Sequence, residues 1–368
     1  MTSWPATAQE FAARLRSDAA DRDRANQPPV KEVELLRQTG LLDETDWSTQ
    51  QKITRIVGAA DANIGHLLGY HYLQIWRSGL FDKPVRHESG WFWAGVSNPL
   101  DAALELTPAE NGFLVNGRKT FATGAAVADR LVVSATRTDN GEKLTFMLDG
   151  AADGITYLGD WDNIGQKLTA SGGVAFENVV VPNEDVLGVQ PIDEHPRLSL
   201  AALGFQLVLA QLYVAIAEGA LAEAAEYTRT KTRPWFVSNV GKATEDPHIL
   251  ASYGEMVAQT QAAGLLADQA SDQLKAASDQ GAALTKEQRG EAAVAISAAK
   301  VVSTKVANEV SSRIFEQVGA RGTAAGYALD RFWRNARTLT LHDPVVYKAR
   351  EVGEHFLTGE HPAFTGYS

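Results

Sequence analysis

His66 and Tyr70 stand four residues apart, a spacing that puts both side chains on one face of a helix. Histidine donates a hydrogen bond and titrates near neutral pH, so such a face suits acid–base work; a plain helix-packing face is the ordinary alternative. A second histidine, His342, precedes Asp343 and Pro344. Asp followed by Pro is a usual helix start, with Asp as N-cap and Pro in the first turn, and this reading assigns Asp343 to capping. As a free carboxylate it would instead be a general base for carbon-acid chemistry. Other chemistries lose their residues. The chain has no cysteine, which removes thiol nucleophiles, thiolate metal sites and disulfides and makes a reducing cytoplasm the natural setting. There is no G-x-G-x-x-G after a strand and no G-x-x-x-x-G-K-[ST], and Gly319 to Gly322 is too short to be either, so a Rossmann or P-loop site is unsupported.

The elements that must hold these residues are legible from periodicity. From 8 to 85, Phe11, Leu15 and Ala19, then Val33, Leu36 and Leu41, then Ile53, Ile56, Val57 and Ala60 give helical spacing and a small helical domain, 1 to 88. Between Gly90 and Gly188, short β-branched and aromatic runs are divided by turn signals at Asn111-Gly112, Asn116-Gly117 and Asp139-Asn140-Gly141. They predict an antiparallel, barrel-like β domain over 89 to 190. After it the helical period returns in alanine-rich segments at 199 to 231, 247 to 280 and 286 to 318, a bundle over 191 to 368. Thr285 with Gln288 forms a capping box for the third segment, Gly319 offers its stop, and Val302, Val306, Val310 and Ile314 form its packing stripe. Pro28-Pro29 and the stretch from Pro182 to Pro196 read as connections.

With 368 residues, 45% hydrophobic and 21% charged, the chain can bury a large core unaided. Its net charge of −11, spread along the sequence, disfavours nucleic acid or an anionic membrane as partner but allows a local basic pocket for phosphate. The first residues lack a basic-then-apolar leader pattern, and no run of 18 apolar residues appears.

Helices, then β, then a helical bundle resembles the acyl-CoA dehydrogenase fold, and particular runs sharpen the likeness. Gly112 to Phe121 resembles that family's hairpin leading to the flavin ring, and Gln317-Val318-Gly319-Ala320-Arg321-Gly322 its signature before the last helices. Gly65 to His71, Arg229 to Trp235 and Phe332 to Pro344 resemble the two-component, reduced-FMN-dependent monooxygenases of the dibenzothiophene and alkanesulfinate type. The likeness covers nearly the whole chain from about residue 30. It implies oxygenation of a small organosulfur compound through a flavin C4a-hydroperoxide, with O2 as cosubstrate and FMN reduced by a separate NAD(P)H:FMN reductase. It also implies His342, His66 and Tyr70 as catalytic residues. Phe121, Thr123 and Trp161 fall where the relatives contact the flavin ring, and Arg233 and Arg321, with Gln317 in the signature, where they hold cofactor, one arginine reaching in from a neighbouring subunit of a homotetramer. A guanidinium suits phosphate because its planar donors engage two oxygens at once.

Two departures point to a different substrate: Val96 and Leu339 stand where the dibenzothiophene enzymes carry an Asn and a His. Substrate contacts are expected in the loops at 96 to 106 and 233 to 247. The alternative readings are an FAD-dependent acyl-CoA dehydrogenase or nitroalkane-type oxidase, with Asp343 at the position of the dehydrogenases' catalytic Glu, or an amine N-hydroxylase.

Overall fold

The computed structural model describes residues 3–190 and 195–368, which hold nine α-helices and eight strands. The first four helices are α1 (Trp4–Ala25), α2 (Val30–Thr39), α3 (Trp47–Ala60) and α4 (Ala62–Gly79). Phe11, Leu15 and Ala19 bury along α1, as the four-residue spacing requires, and Pro28-Pro29 lies in its link to α2. Asp46 and Asp61 cap α3 and α4, each carboxylate accepting a backbone N–H of the first turn. A Cβ at Gly65 would stand 2.4 Å from the Gly58 Cα, so glycine at this crossing lets α3 and α4 meet backbone to backbone. Nearly every residue of α4 is buried, which makes it a rigid support for what it carries.

The strands are β1 (Trp93–Val96), β2 (Glu105–Ala109), β3 (Gly112–Lys119), β4 (Arg130–Arg137), β5 (Lys143–Asp149), β6 (Ile155–Tyr157), β7 (Val174–Pro182) and β8 (Val186–Val189). They form one sheet in the order β6-β7-β3-β2-β4-β5-β8, with β1 added on β4. The expectation of purely antiparallel pairing is corrected at β4, which pairs in parallel with both β1 and β2. Asn111-Gly112 and Asp139-Asn140-Gly141 do turn the chain, but Asn116-Gly117 does not. It sits inside β3 at a register shift against β7, with Gly117 at φ 124°, so the same residue pair serves as a bulge. The connection expected from 182 is occupied by β8 up to residue 189, and 191–194 lie outside the described residues.

Three long helices follow: α5 (Pro196–Thr230), α6 (Pro247–Asp279) and α7 (Lys286–Val318), with the short α8 (Asp330–Leu339) and α9 (Val345–Thr358) packed on α7 to complete the bundle. The Thr285–Gln288 capping box forms and Gly319 ends α7 at φ 68°. Val306, Val310 and Ile314 bury as expected, whereas Val302 is 36% exposed: the inward face runs through Ala299, Lys300 and Ser303 instead. The apolar α5 is long enough to cross a bilayer, yet here α3, α4, α6 and α7 cover it and it forms the centre of the largest core cluster.

Candidate active site

A cavity of about 720 Å³ opens where α4, the β1 and β5 ends, α5, α8 and the C-terminal residues meet. His66, Tyr70, Phe121, Thr123, Trp161 and His342 all line it, so six residues spread over 277 positions of sequence converge on one wall system. The spacing argument holds for α4: the rings of His66 and Tyr70 meet edge to face with centroids 4.3 Å apart.

His66 is fixed by a residue that periodicity did not reveal. Its Nδ1 lies 3.0 Å from Oε1 of Gln166, to which it donates. Gln166 takes a left-handed φ of 54°, and its backbone N–H donates to Oδ1 of Asn335 on α8 at 2.7 Å. Glycine at 165 permits this docking, because a Cβ there would fall 2.0 Å from the Arg334 carbonyl oxygen. Burial lowers the His66 pKa to about 4, outweighing the hydrogen bond that the ring donates to Gln166, so the ring is neutral at pH 7 and its Nε2 is a buried acceptor without a partner among the described residues. The Gln166 amide nitrogen is likewise an unpartnered buried donor. Burial also pushes the Tyr70 hydroxyl well above its usual range, which keeps it a proton donor.

Phe121 and Trp161 form an aromatic pair at 5.8 Å, with Phe121 63% exposed towards the open side. Trp161 Nε1 donates to the Gln166 carbonyl at 2.7 Å. Thr123 belongs to a hydroxyl chain, 2.8 Å from Ser171, which in turn lies 2.7 Å from Thr169. A planar heterocycle with a polar edge fits these groups: aromatic faces for the ring, hydroxyls beside them, and the orphaned nitrogens of His66 and Gln166 for edge atoms. The loop expected near 96 to 106 does reach the cavity at Ser97 to Leu100, but nothing from 233 to 247 does. Of the two departures, Leu339 lines the cavity and Val96 is buried behind it.

His342 stands at the mouth, its ring 5.8 Å from that of Tyr367. Its Nδ1 donates to Oδ1 of Asp343 at 2.9 Å, which sets the tautomer and leaves Nε2 without a protein partner among the described residues. The capping role for Asp343 is thereby corrected. The residue before α9 is Pro344, no side chain caps that helix, and Asp343 is turned inward onto Lys300 of α7. Burial alone would raise its pKa, but hydrogen bonds from His342 and Lys300 and the Lys300 charge hold it well below the usual carboxylate range. Burial in turn lowers Lys300 to about 8, against the pull of Asp343. Both partners are therefore ionised at pH 7. The sequence signal was present: Lys300 falls one turn after Ile296 on the inward face of α7, where an unpaired charge is costly.

Arg233, Arg321 and Gln317 do not line the cavity. Both arginines are exposed, while Gln317 is buried and donates to Ser252 Oγ at 2.8 Å. Thr232 reaches the Gln317 carbonyl at 3.4 Å, so the segment bearing Arg233 lies against the end of α7 close to Arg321.

This combination of helical, sheet and bundle layers around a cleft with paired aromatics is that of a flavoenzyme with the acyl-CoA dehydrogenase fold. The profile of the acyl-CoA dehydrogenase C-terminal domain matches residues 207–346. Dibenzothiophene monooxygenase from Rhodococcus erythropolis is 38% identical over 97% of this chain and 94% of its own length. The probable FMNH2-dependent monooxygenase SfnC of Pseudomonas putida is 36% identical over 99% and 97%. The structure of methanesulfinate monooxygenase MsuC from Pseudomonas fluorescens superposes with a TM-score of 0.94 over 100% of both chains at 36% identity. The chain belongs to this family of FMNH2-dependent monooxygenases and is an oxidoreductase.

Proposed function

We propose that the protein transfers one oxygen atom from O2 to a small organosulfur compound, such as a sulfinate, sulfide or sulfone, using FMN delivered in reduced form by a separate NAD(P)H:FMN reductase. The carrying observation is the pair of unpartnered buried nitrogens, His66 Nε2 and Gln166 Nε2, on the wall of a cavity that also holds the Phe121–Trp161 pair. The flavin, when bound, supplies the electrons that split the oxygen molecule, leaving one atom for the substrate and one as water. Phe121 and Trp161 hold its ring and Thr123 its polar edge; Arg233 and Arg321, with Gln317 ordering their surroundings, hold its phosphate across a subunit boundary of a homotetramer. Tyr70 keeps its proton and donates it in a hydrogen bond. His66 stays neutral and accepts. His342, oriented by Asp343, shuttles a proton at Nε2 at the mouth. A cytoplasmic setting suits both the reductase and the cysteine-free chain, and units at 1–88, 89–190 and 191–368 suit the order of elements.

The dehydrogenase and oxidase alternatives need Asp343 as a base, and a carboxylate held well below its usual range by the His342 hydrogen bond and Lys300 is a weak one. His342→Ala tests the oxygenase reading. With reduced FMN and O2 the variant is expected to consume oxygen yet release more of it as hydrogen peroxide, with less product. Unchanged coupling removes His342 from the mechanism, and flavin reduction by substrate without a reductase restores the dehydrogenase. Light scattering that finds a monomer at micromolar concentration removes the inter-subunit arginine.

A further inference from the structure

The inner end of the cavity carries charge that no carboxylate among the described residues balances. Arg77 lies on α4, seven residues and two turns beyond Tyr70 on the same face, and is 2% exposed while lining the cavity. Its guanidinium touches only neutral groups: Gln74 Oε1 at 3.3 Å, Ser97 Oγ at 3.3 Å and Ser134 Oγ at 3.0 Å. Nε has no partner. Lys143, from the start of β5, lines the same end and makes no ion pair among the described residues. Among the described residues no carboxylate forms an ion pair with either cation, and Asp162, on the cavity wall beside Trp161, pairs with neither. Burial depresses both cations, Arg77 to about 10, and the Arg77 charge depresses Lys143 further, so the two share one electrostatic field.

We infer that Arg77 and Lys143 form a binding site for the oxyanion headgroup of the substrate, a sulfinate, sulfonate or carboxylate, and that the enzyme therefore acts on anionic organosulfur compounds. This rests on the function proposed above and narrows its substrate. A buried charge is costly unless paired, and here the folded chain already bears that cost. An incoming oxyanion recovers it, with the guanidinium fork and the Ser97 hydroxyl as prearranged donors. A neutral sulfide or sulfone would instead close off water from both cations and leave them unpaired. The positive end is also needed for capture, because a net charge of −11 repels small anions from the surface at large. Phe205 supplies the adjoining apolar wall: the Arg77 Cζ stands 6.0 Å from its ring, which meets the Tyr70 ring at 5.3 Å. The headgroup thus sits one aromatic ring away from Tyr70, leaving the organic part of the ligand against Phe205.

The test is calorimetric titration of the protein, with saturating oxidised FMN so that the flavin phosphate site is filled, using butanesulfonate, pentanoate and the neutral butyl methyl sulfone. Both anions are expected to bind at least about tenfold more tightly than the sulfone. Arg77→Met and Lys143→Met should each weaken the anions about ten- to a hundred-fold and leave the sulfone unchanged, while Arg77→Lys should retain part of the affinity. The ratio of butanesulfonate to pentanoate distinguishes a sulfur oxyanion from a carboxylic acid. Equal binding of sulfone and anions overturns the inference. So does an Arg77→Met protein that melts earlier but keeps its anion affinity, since Arg77 would then only tie α4 to β1 and β4. If Arg77→Met does not fold, Lys143→Met at the start of β5 reads the same quantity. Because the titration reads binding with oxidised FMN and involves no turnover, its result is independent of the oxygenase reading, and the peroxide assay of His342→Ala tests that reading without any anion.

Discussion

Asp343→Asn keeps the shape of the side chain and removes its charge, and the structure makes the consequence calculable. Lys300, with 1% of its side chain exposed, loses the one ion-pair partner it has among the described residues, and Gln206 remains as a neutral acceptor. Breaking a buried pair at one end costs about 3–5 kcal/mol. Lysine has an escape, which is to lose its proton. From an ordinary value of about 10.4 to pH 7 that costs ~5 kcal/mol, so the penalty has a ceiling there, and at pH 9 the ceiling falls to ~2 kcal/mol. Urea unfolding of wild type and variant should therefore differ by about 3–5 kcal/mol at pH 7 and by about 2 kcal/mol or less at pH 9. Adding Lys300→Met should restore most of the loss, because the unpaired charge goes with it. A variant as stable as wild type at pH 7, or a deficit that does not shrink with rising pH, refutes the buried-pair reading and returns Asp343 to the helix-cap role, where Asn is nearly as good as Asp.

Gly165→Ala should displace the Gln166 loop from α8, since its methyl would lie 2.0 Å from the Arg334 carbonyl; a loss of about 1–3 kcal/mol in stability and weaker FMN binding are expected, and an unaltered flavin titration would dissociate that loop from the cofactor. His66 and His71 are both lowered to about 4 by burial, below the value of an unfolded chain, so the unfolded state takes up protons first as pH falls. Their contribution is complete above about pH 6.5 and is lost as pH falls towards 4, about 3 kcal/mol for each; urea midpoints that stay level across that window contradict neutral buried rings. Arg233→Ala should weaken FMN about ten- to a hundred-fold with the fold intact, and an unchanged affinity would leave this arginine as a surface residue.

Much of the fold is local in origin and was readable for that reason. Helix α7 begins at a reciprocal Thr285–Gln288 cap and ends at Gly319, and those signals lie within a few residues of the boundaries they set. The His66–Tyr70 face is equally local, a matter of four residues in one helix. Asn116-Gly117 shows the limit, because the same dipeptide serves a hairpin turn or a bulge, and only the pairing of β3 with β7 decides which. Parallel pairing at β4 is invisible for the same reason: alternation along a strand records which face is buried, not which strand lies alongside.

The site divides in the same way. Residues whose type is conspicuous, His342, Trp161 and the arginines, can be nominated from the sequence, but their partners cannot. Asp343 followed by Pro344 satisfies every local rule for a cap, and it is Lys300, 43 residues upstream on another helix, that draws the carboxylate inward. Gln166 gains its role from a positive φ held by Asn335, 169 residues away, and Arg77 from the absence of a counter-ion among the described residues of the packed cavity wall. The sequence by itself determined the order of helical and strand segments, which faces are largely apolar and which residue types are available. Tertiary structure decided which buried charges are matched and which are left to a ligand, because electrostatic pairing acts through space across elements that the chain order keeps apart.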